Sequence, residues 1–147
     1  MMATERRMVV LVVEDDPHDY ELVERSVRAV EKGSARYELH WVKNGAEALD
    51  FLFRKGKYEE APRPNLILLD LKLPRKPGLT VLAEIKKDEV LRKIPVVVLT
   101  VSKSEEDIAR AYDSGAAGFL NKPVTRDDFD KLLATVWDYW RIVKLPE

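Results

Sequence analysis

The run Met8-Val9-Val10-Leu11-Val12-Val13 is wholly apolar, largely β-branched, and stops abruptly at Glu14-Asp15-Asp16. A strand with one face in water alternates apolar and polar residues. A short continuous run fits a strand buried on both faces, as in the interior of a parallel sheet. The pattern recurs. Leu66-Ile67-Leu68-Leu69 ends at Asp70, Pro95-Val96-Val97-Val98-Leu99 ends at Thr100, and the shorter Gly118-Phe119-Leu120 runs towards Lys122-Pro123. Tyr37, Leu39 and Trp41 alternate with Glu38 and His40, which marks a further strand.

Amphipathic segments separate these runs. Asp16 and Pro17 open a helix to about Lys32, with Leu22, Val23, Val27 and Val30 at helical spacing. Asn44 caps a helix carrying Ala48, Leu49 and Leu52, and Gly78 precedes one carrying Val81, Leu82 and Ile85. Ser104 with Asp107, and Thr125 with Asp128, have capping-box spacing before the last two helices. The final helix sets Phe129, Leu132, Leu133, Val136 and Trp140 on one face. The only irregular stretch of note runs from Arg54 to Pro64. The order βαβαβαβαβα predicts an α/β fold, a five-stranded parallel sheet, doubly wound by helices.

The chain has 147 residues, enough for one domain with one sizeable core, so residues 1–147 are expected to form a single domain. A formal net charge of −1, with both signs interspersed, gives no reason to expect a nucleic-acid or anionic-membrane surface. The absence of cysteine excludes disulfides, thiolate metal sites and catalytic thiols. No apolar run approaches a membrane span, and the segment before Met8 is too short for a signal peptide. A cytoplasmic location is the resulting expectation.

In doubly wound sheets, ligand sites form at the carboxyl ends of the strands. There this sequence sets Glu14-Asp15-Asp16, Asp70, Thr100 and Lys122. Carboxylates crowded together raise one another's pKa, and a hard divalent cation relieves the repulsion. Mg2+ suits oxygen ligands and typically takes one or two carboxylates plus phosphate. Phosphoryl transfer needs positioning and positive charge more than covalent machinery, and aspartate is a competent nucleophile towards phosphorus. Each residue alone has a plainer reading. An acidic run is usually a solvated turn, a strand-end Asp a turn former, a strand Thr only packing, and Lys-Pro a surface stop. Their joint order and register carry the functional reading.

That quartet, Glu14-Asp15, Asp70, Thr100 and Lys122-Pro123, resembles the response-regulator receiver domain over nearly the whole chain. The resemblance implies the flavodoxin-like receiver fold and phosphorylation by a sensor histidine kinase. Asp70 matches the phosphoacceptor. Asp15 and Asp70 match metal ligands, Glu14 the acid that holds metal-bound water, and Lys72 the residue whose backbone carbonyl completes the Mg2+ shell. Lys122 matches the lysine that pairs with the phosphoryl group, and Pro123 the proline of a commonly cis peptide. Thr100 matches the switch hydroxyl and Phe119 the switch aromatic. Tyr58 to Asn65, Ile94 to Thr100 and the terminal Tyr139-Trp140 and Leu145-Pro146 are similar to stand-alone regulators that partner phytochrome-type sensor kinases.

Some positions depart from the common pattern. Pro77 stands where an acid is frequent, and Phe119 lacks a phenol hydroxyl. Val101 replaces a small residue and is expected to narrow access to the site. Lys72 and Ser102 flank the site at variable positions, where they bear on the lifetime of an acyl phosphate. His18 and His40 read as ordinary surface residues. Trp137, Tyr139 and Trp140 widen the last helix's apolar face and serve either the core or a partner. A homodimer through the face of the fourth helix, fifth strand and fifth helix is expected, with output by protein contact or phosphate relay. Two other classes fit less well. A haloacid-dehalogenase-type hydrolase needs an Asp-x-Asp nucleophile motif at a strand end, and no strand end here carries one; a pseudo-receiver interaction module would not need the intact quartet. Neither G-x-G-x-x-G nor a Walker A sequence is present, which removes nucleotide binding by those routes.

Overall fold

A computed structural model describes residues 6–31 and 35–146. Its elements alternate as β1 (Arg6–Val13), α1 (Pro17–Val30), β2 (Ala35–Val42), α2 (Gly45–Leu52), β3 (Leu66–Leu69), α3 (Gly78–Lys87), β4 (Val96–Thr100), α4 (Glu105–Asp113), β5 (Gly118–Asn121) and α5 (Arg126–Ile142). The five strands are parallel in the order β2-β1-β3-β4-β5. This is the doubly wound five-stranded parallel sheet that the alternation of runs predicts, in the flavodoxin-like arrangement that the resemblance implies.

Continuous apolar runs make two cores from one sheet. In β1, Leu11 and Val13 face α2, α3 and α4, where they join Leu52, Leu82, Ile85 and Ala111. Val10 and Val12 face the other way, onto Leu22, Val23 and Val27 of α1 and Phe129, Leu133 and Trp137 of α5. β3 and β4 divide their residues in the same alternating manner. Removing each of these large side chains from water contributes roughly 1.5–3 kcal/mol, so all five strands are held from both faces.

The helix starts follow the sequence. The Asp16 side chain accepts from His18 N–H, Asn44 from Glu47 N–H, Ser104 from Asp107 N–H and Thr125 from Asp128 N–H. The box at Ser104 is only half of one, because the Asp107 carboxylate accepts the Ser102 hydroxyl at 2.6 Å instead of reaching back. α1 ends at Val30 with Glu31 as its C-cap; the expected end near Lys32 lies outside the described residues.

The stretch from Arg54 to Pro64 is ordered by side chains. A 3₁₀ turn, Gly56–Tyr58, lays the Tyr58 ring against Phe51 and lets its hydroxyl donate to Glu47 at 2.7 Å. Asn65 then clamps β1: its N–H donates to Val9 O and its Oδ1 accepts from Val9 N–H.

One open alternative is decided and one single-residue reading needs correction. The aromatic end of α5 is mainly core. Trp137 is 1% and Trp140 7% exposed, and only Tyr139, at 57%, faces solvent. The Trp137 indole donates to the buried Ser26 hydroxyl of α1 at 2.8 Å, so the broad apolar face exists because α5 packs on both α1 and the sheet. His40 is half-buried, bonded to Glu38 and tilted against Phe51, rather than on an exposed strand face.

Gly78 fixes the loop after β3. A Cβ there would lie 2.3 Å from the Asp70 carbonyl oxygen and 2.6 Å from Leu71 Cα, while its N–H donates to Leu71 O. Gly78→Ala is therefore expected to destabilise the fold by about 1–3 kcal/mol through overpacking against backbone. Urea unfolding should show a lower midpoint with an unchanged slope. A variant as stable as wild type would show that the loop opens freely.

Candidate functional site

The strand order makes a switch point between β1 and β3. From β1 the chain moves outward to β2, then returns across β1 to begin β3. Loops after β1 and β3 therefore diverge and leave a crevice at the carboxyl edge. Glu14, Asp15 and Asp70 are the first residues beyond those two strands. Backbone bonds hold them there: Glu14 N–H donates to Val42 O, and Asp70 N–H to Val13 O. One carboxylate oxygen from each of Glu14, Asp15 and Asp70 lies within 4.8 Å of the others. Glu14 and Asp70 are buried and Asp15 is exposed, so the cluster opens to solvent on one side.

The Lys122 ammonium closes the other side. It lies 2.7 Å from Glu14 Oε1, 2.8 Å from Asp70 Oδ2 and 2.8 Å from Asp19 Oδ2, with a side chain only 6% exposed. Its backbone N–H donates to Thr100 O, which fixes where the side chain departs from the sheet. The Lys122–Pro123 peptide is trans, not the cis form expected by resemblance. A prolyl peptide prefers trans by about 0.5–1 kcal/mol, and here the lysine reaches all three carboxylates from it.

Charge in this buried space shifts two groups. Burial raises Glu14 to about 7, outweighing the lowering by Lys122, and the Asp70 charge pushes the same way. For Lys122, burial alone would push the pKa down; hydrogen bonds to Asp19, Asp70 and Glu14 outweigh it and hold the pKa above the ordinary lysine value. The lysine thus stays charged through the neutral range, while Glu14 keeps its proton well above the ordinary carboxylate range.

The remaining expected residues ring this centre. Thr100, at the end of β4, is fully buried, and its Oγ1 accepts from Ser102 N–H at 3.4 Å. Lys72 N–H donates to Asp70 Oδ1 at 3.2 Å and orients that carboxylate. Phe119 is half-buried in β5, packed on the core beneath α2, α3 and α4. Val101, expected to narrow access, is 55% exposed and stands at the protein surface.

Three contributors escaped the sequence reading. Asp19 reaches Lys122 from the first turn of α1; its place four residues after Asp15 was the available signal. The Trp41 indole donates to Glu14 O at 2.6 Å while its ring stacks on Tyr20 at 4.3 Å, which pins the acidic turn. Asn121 donates its amide to Thr100 O and Ser102 O, tying the loop after β4 to β5.

Carboxylates on two strand ends, a paired lysine and a buried strand-end hydroxyl on this sheet define a class, and comparison with known proteins agrees. Residues 10–134 match the response regulator receiver domain, and the chain belongs to that family. It acts in two-component signalling. Among its relatives, the response regulator Rcp1 of Synechocystis sp. is 41% identical over 94% of this chain and 92% of its own length. The probable methanogenesis regulatory protein FilR2 of Methanothrix harundinacea is 36% identical over 95% of this chain and 88% of its own. The Mn2+-bound crystal structure of Rcp1 superposes with a TM-score of 0.90 at 40% identity, covering 95% of this chain and 99% of that one. The phosphorylated cyanobacterial phytochrome response regulator RcpA gives 0.91 at 35% identity, covering 97% and 100%. Receiver domains are signalling proteins that bind a divalent metal, and this chain carries the acidic cluster of Glu14, Asp15 and Asp70. No helix among the described residues is long and apolar enough to cross a membrane.

The Glu14 shift gives a pH dependence with a definite sign. Its folded pKa, about 7, lies above the ordinary 4.5. Between those values the folded chain retains a proton that the unfolded chain releases. Stability of the metal-free protein should therefore fall as pH rises through that window, and Glu14→Gln should flatten that part of the curve. Urea midpoints measured across the window, with and without the substitution, check this. The same linkage predicts proton release on divalent-cation binding at neutral pH, read from calorimetry in buffers of different ionisation enthalpy.

Proposed function

We propose that the chain acts as a single receiver domain that takes a phosphoryl group from a sensor histidine kinase onto Asp70. The observation that carries this reading is the Lys122 ammonium 2.8 Å from a buried Asp70 carboxylate beside two further acids. The donor set, all hard oxygens with one open side, fits Mg2+, held by Asp15, Asp70 and the Lys72 carbonyl, with Glu14 acting through a bound water. When bound, Mg2+ would neutralise the acid cluster and the charge on the transferred oxygens.

The chain's own groups do the rest. The Asp70 carboxylate attacks phosphorus, forming an O–P bond as the P–N bond to the kinase histidine breaks. Lys72 N–H keeps the carboxylate oriented, and Lys122 faces the incoming charge. The Thr100 hydroxyl, held weakly by Ser102 N–H at 3.4 Å, turns to a phosphoryl oxygen. Phe119 follows by changing its burial, since it has no hydroxyl to offer. Slow loss of the phosphoryl group to water at the same site resets the chain.

The kinase is of the phytochrome type, as suits likeness to RcpA and to the bacteriophytochrome response regulator RtBRR, 35% identical with a TM-score of 0.75. The exchange takes place in the cytoplasm. Output passes by protein contact or phosphate relay, not through nucleic acid, with a homodimer formed through α4, β5 and α5. Tyr112 on α4 and Tyr139 on α5, 50% and 57% exposed, are the exposed aromatic side chains on those helices.

Asp70→Asn keeps the shape and removes the nucleophile. Labelling by a small acyl phosphate with Mg2+ should fall to background, and wild-type labelling would overturn the assignment. Light scattering on size exclusion tests the dimer. Wild type should elute at twice the monomer mass at high concentration, and Tyr112→Glu should shift it towards monomer. A wild-type monomer with and without an acyl-phosphate mimic rejects this interface.

A further inference from the structure

We propose that Asp19 is the positioning residue for Lys122: it keeps the ammonium at the phosphoryl site while Glu14 and Asp70 are released to a divalent cation. This rests on the divalent-cation reading of Glu14, Asp15 and Asp70 and goes beyond it to a residue outside that cluster.

The lysine ammonium has three N–H donors, and three carboxylates stand within 2.8 Å of it. Two of them, Glu14 and Asp70, belong to the cluster whose oxygens lie close enough to share an ion; Asp19 does not. Lysine and metal therefore compete for the same two carboxylates. A lysine that had only those two partners would lose both when the cation bound, and would resist its binding. Asp19 supplies a partner that the cation leaves alone. The lysine can then yield Glu14 and Asp70 without becoming an unpaired buried charge.

The local backbone explains why Asp19 is free to do this. It stands three residues after the N-cap Asp16, where an acid commonly bonds back to the N-cap N–H. Here that N–H donates to Glu14 Oε2 at 3.0 Å instead. The Asp19 carboxylate turns inward and is only 19% exposed. Its turn is rigid, because the neighbouring Tyr20 stacks on Trp41, whose indole is bonded to Glu14 O. An ordinary acid at a helix start would stabilise α1 through the helix dipole and have no effect that depends on Lys122.

A double-mutant cycle read by Mg2+ calorimetry separates the two roles. Wild type, Asp19→Asn, Lys122→Met and the double variant are titrated with Mg2+, after thermal unfolding establishes that each is folded. Asp19→Ser takes the place of Asp19→Asn if the amide variant is unfolded. Asp19→Asn should weaken Mg2+ binding about fivefold or more, because Lys122 then leans wholly on the cation's carboxylates; neighbouring groups commonly couple at this scale. Lys122→Met should tighten binding, and adding Asp19→Asn to it should change affinity by no more than about twofold. An equal loss in both backgrounds would mean that Asp19 acts as a bare charge, and unchanged or tighter binding in the single variant would mean that it does not hold the lysine; either overturns the proposal. Wild type that binds no Mg2+ would remove the cation reading itself, a result distinct from both.

Discussion

One ammonium among three carboxylates governs this molecule. Taking Lys122 out of water is unfavourable unless charged partners replace the solvent, and gathering Glu14, Asp19 and Asp70 is unfavourable without a cation between them. Each side of the cluster makes the other tolerable. Lys122 follows β5, Asp70 follows β3, Glu14 follows β1 and Asp19 opens α1, so four separate segments must arrive at one point. Their charges do not cancel. That residual negative charge is what makes the place receptive to a divalent cation.

The scaffold exists to hold those arrivals still. Strands packed on both faces cannot slide without turning buried side chains towards water, so their ends are fixed points. Close backbone contacts extend this rigidity past the strands. Gly78 lies against the Asp70 carbonyl, Trp41 holds the Glu14 carbonyl, and Asn121 bridges the Thr100 and Ser102 carbonyls. The Thr100 hydroxyl is bound more lightly: its Oγ1 has a long bond from Ser102 N–H, and Ser102 in turn holds Asp107 of α4. Much of the aromatic surface of α5 is consumed in packing on α1, which leaves Tyr112 on α4 and Tyr139 on α5 as exposed rings.

Fold and site were legible to different depths. Apolar runs too short for helices and without alternation identified the buried strands, and an acid, hydroxyl or lysine closing each run identified the edge that carries chemistry. Caps at Asp16, Asn44, Ser104 and Thr125 were readable because N-capping needs only a side-chain oxygen a few residues from an N–H. Asp19 was hidden because its spacing equally suits a plain helix-start acid. The trans Lys122–Pro123 peptide could not be read from composition, since the two isomers differ so little in energy. The α5 tryptophans were ambiguous because an apolar stripe has the same periodicity whether a core or a partner covers it.

The sequence by itself determined the parallel sheet, the identity of Asp15, Asp70, Thr100 and Lys122 as strand-end residues, and the family to which the chain belongs. These depend on periodicity and on local order along the chain, both written in the residues. Only the tertiary structure decided that Lys122 bonds Glu14, Asp19 and Asp70 together, that Trp41 braces the acidic turn, and that Trp137 and Trp140 are interior. Such facts depend on distances between residues as far as 111 positions apart, as for Trp137 and Ser26. Burial, which sets the strength of every charge in the site, comes into being only when the sheet and its two layers of helices close around it.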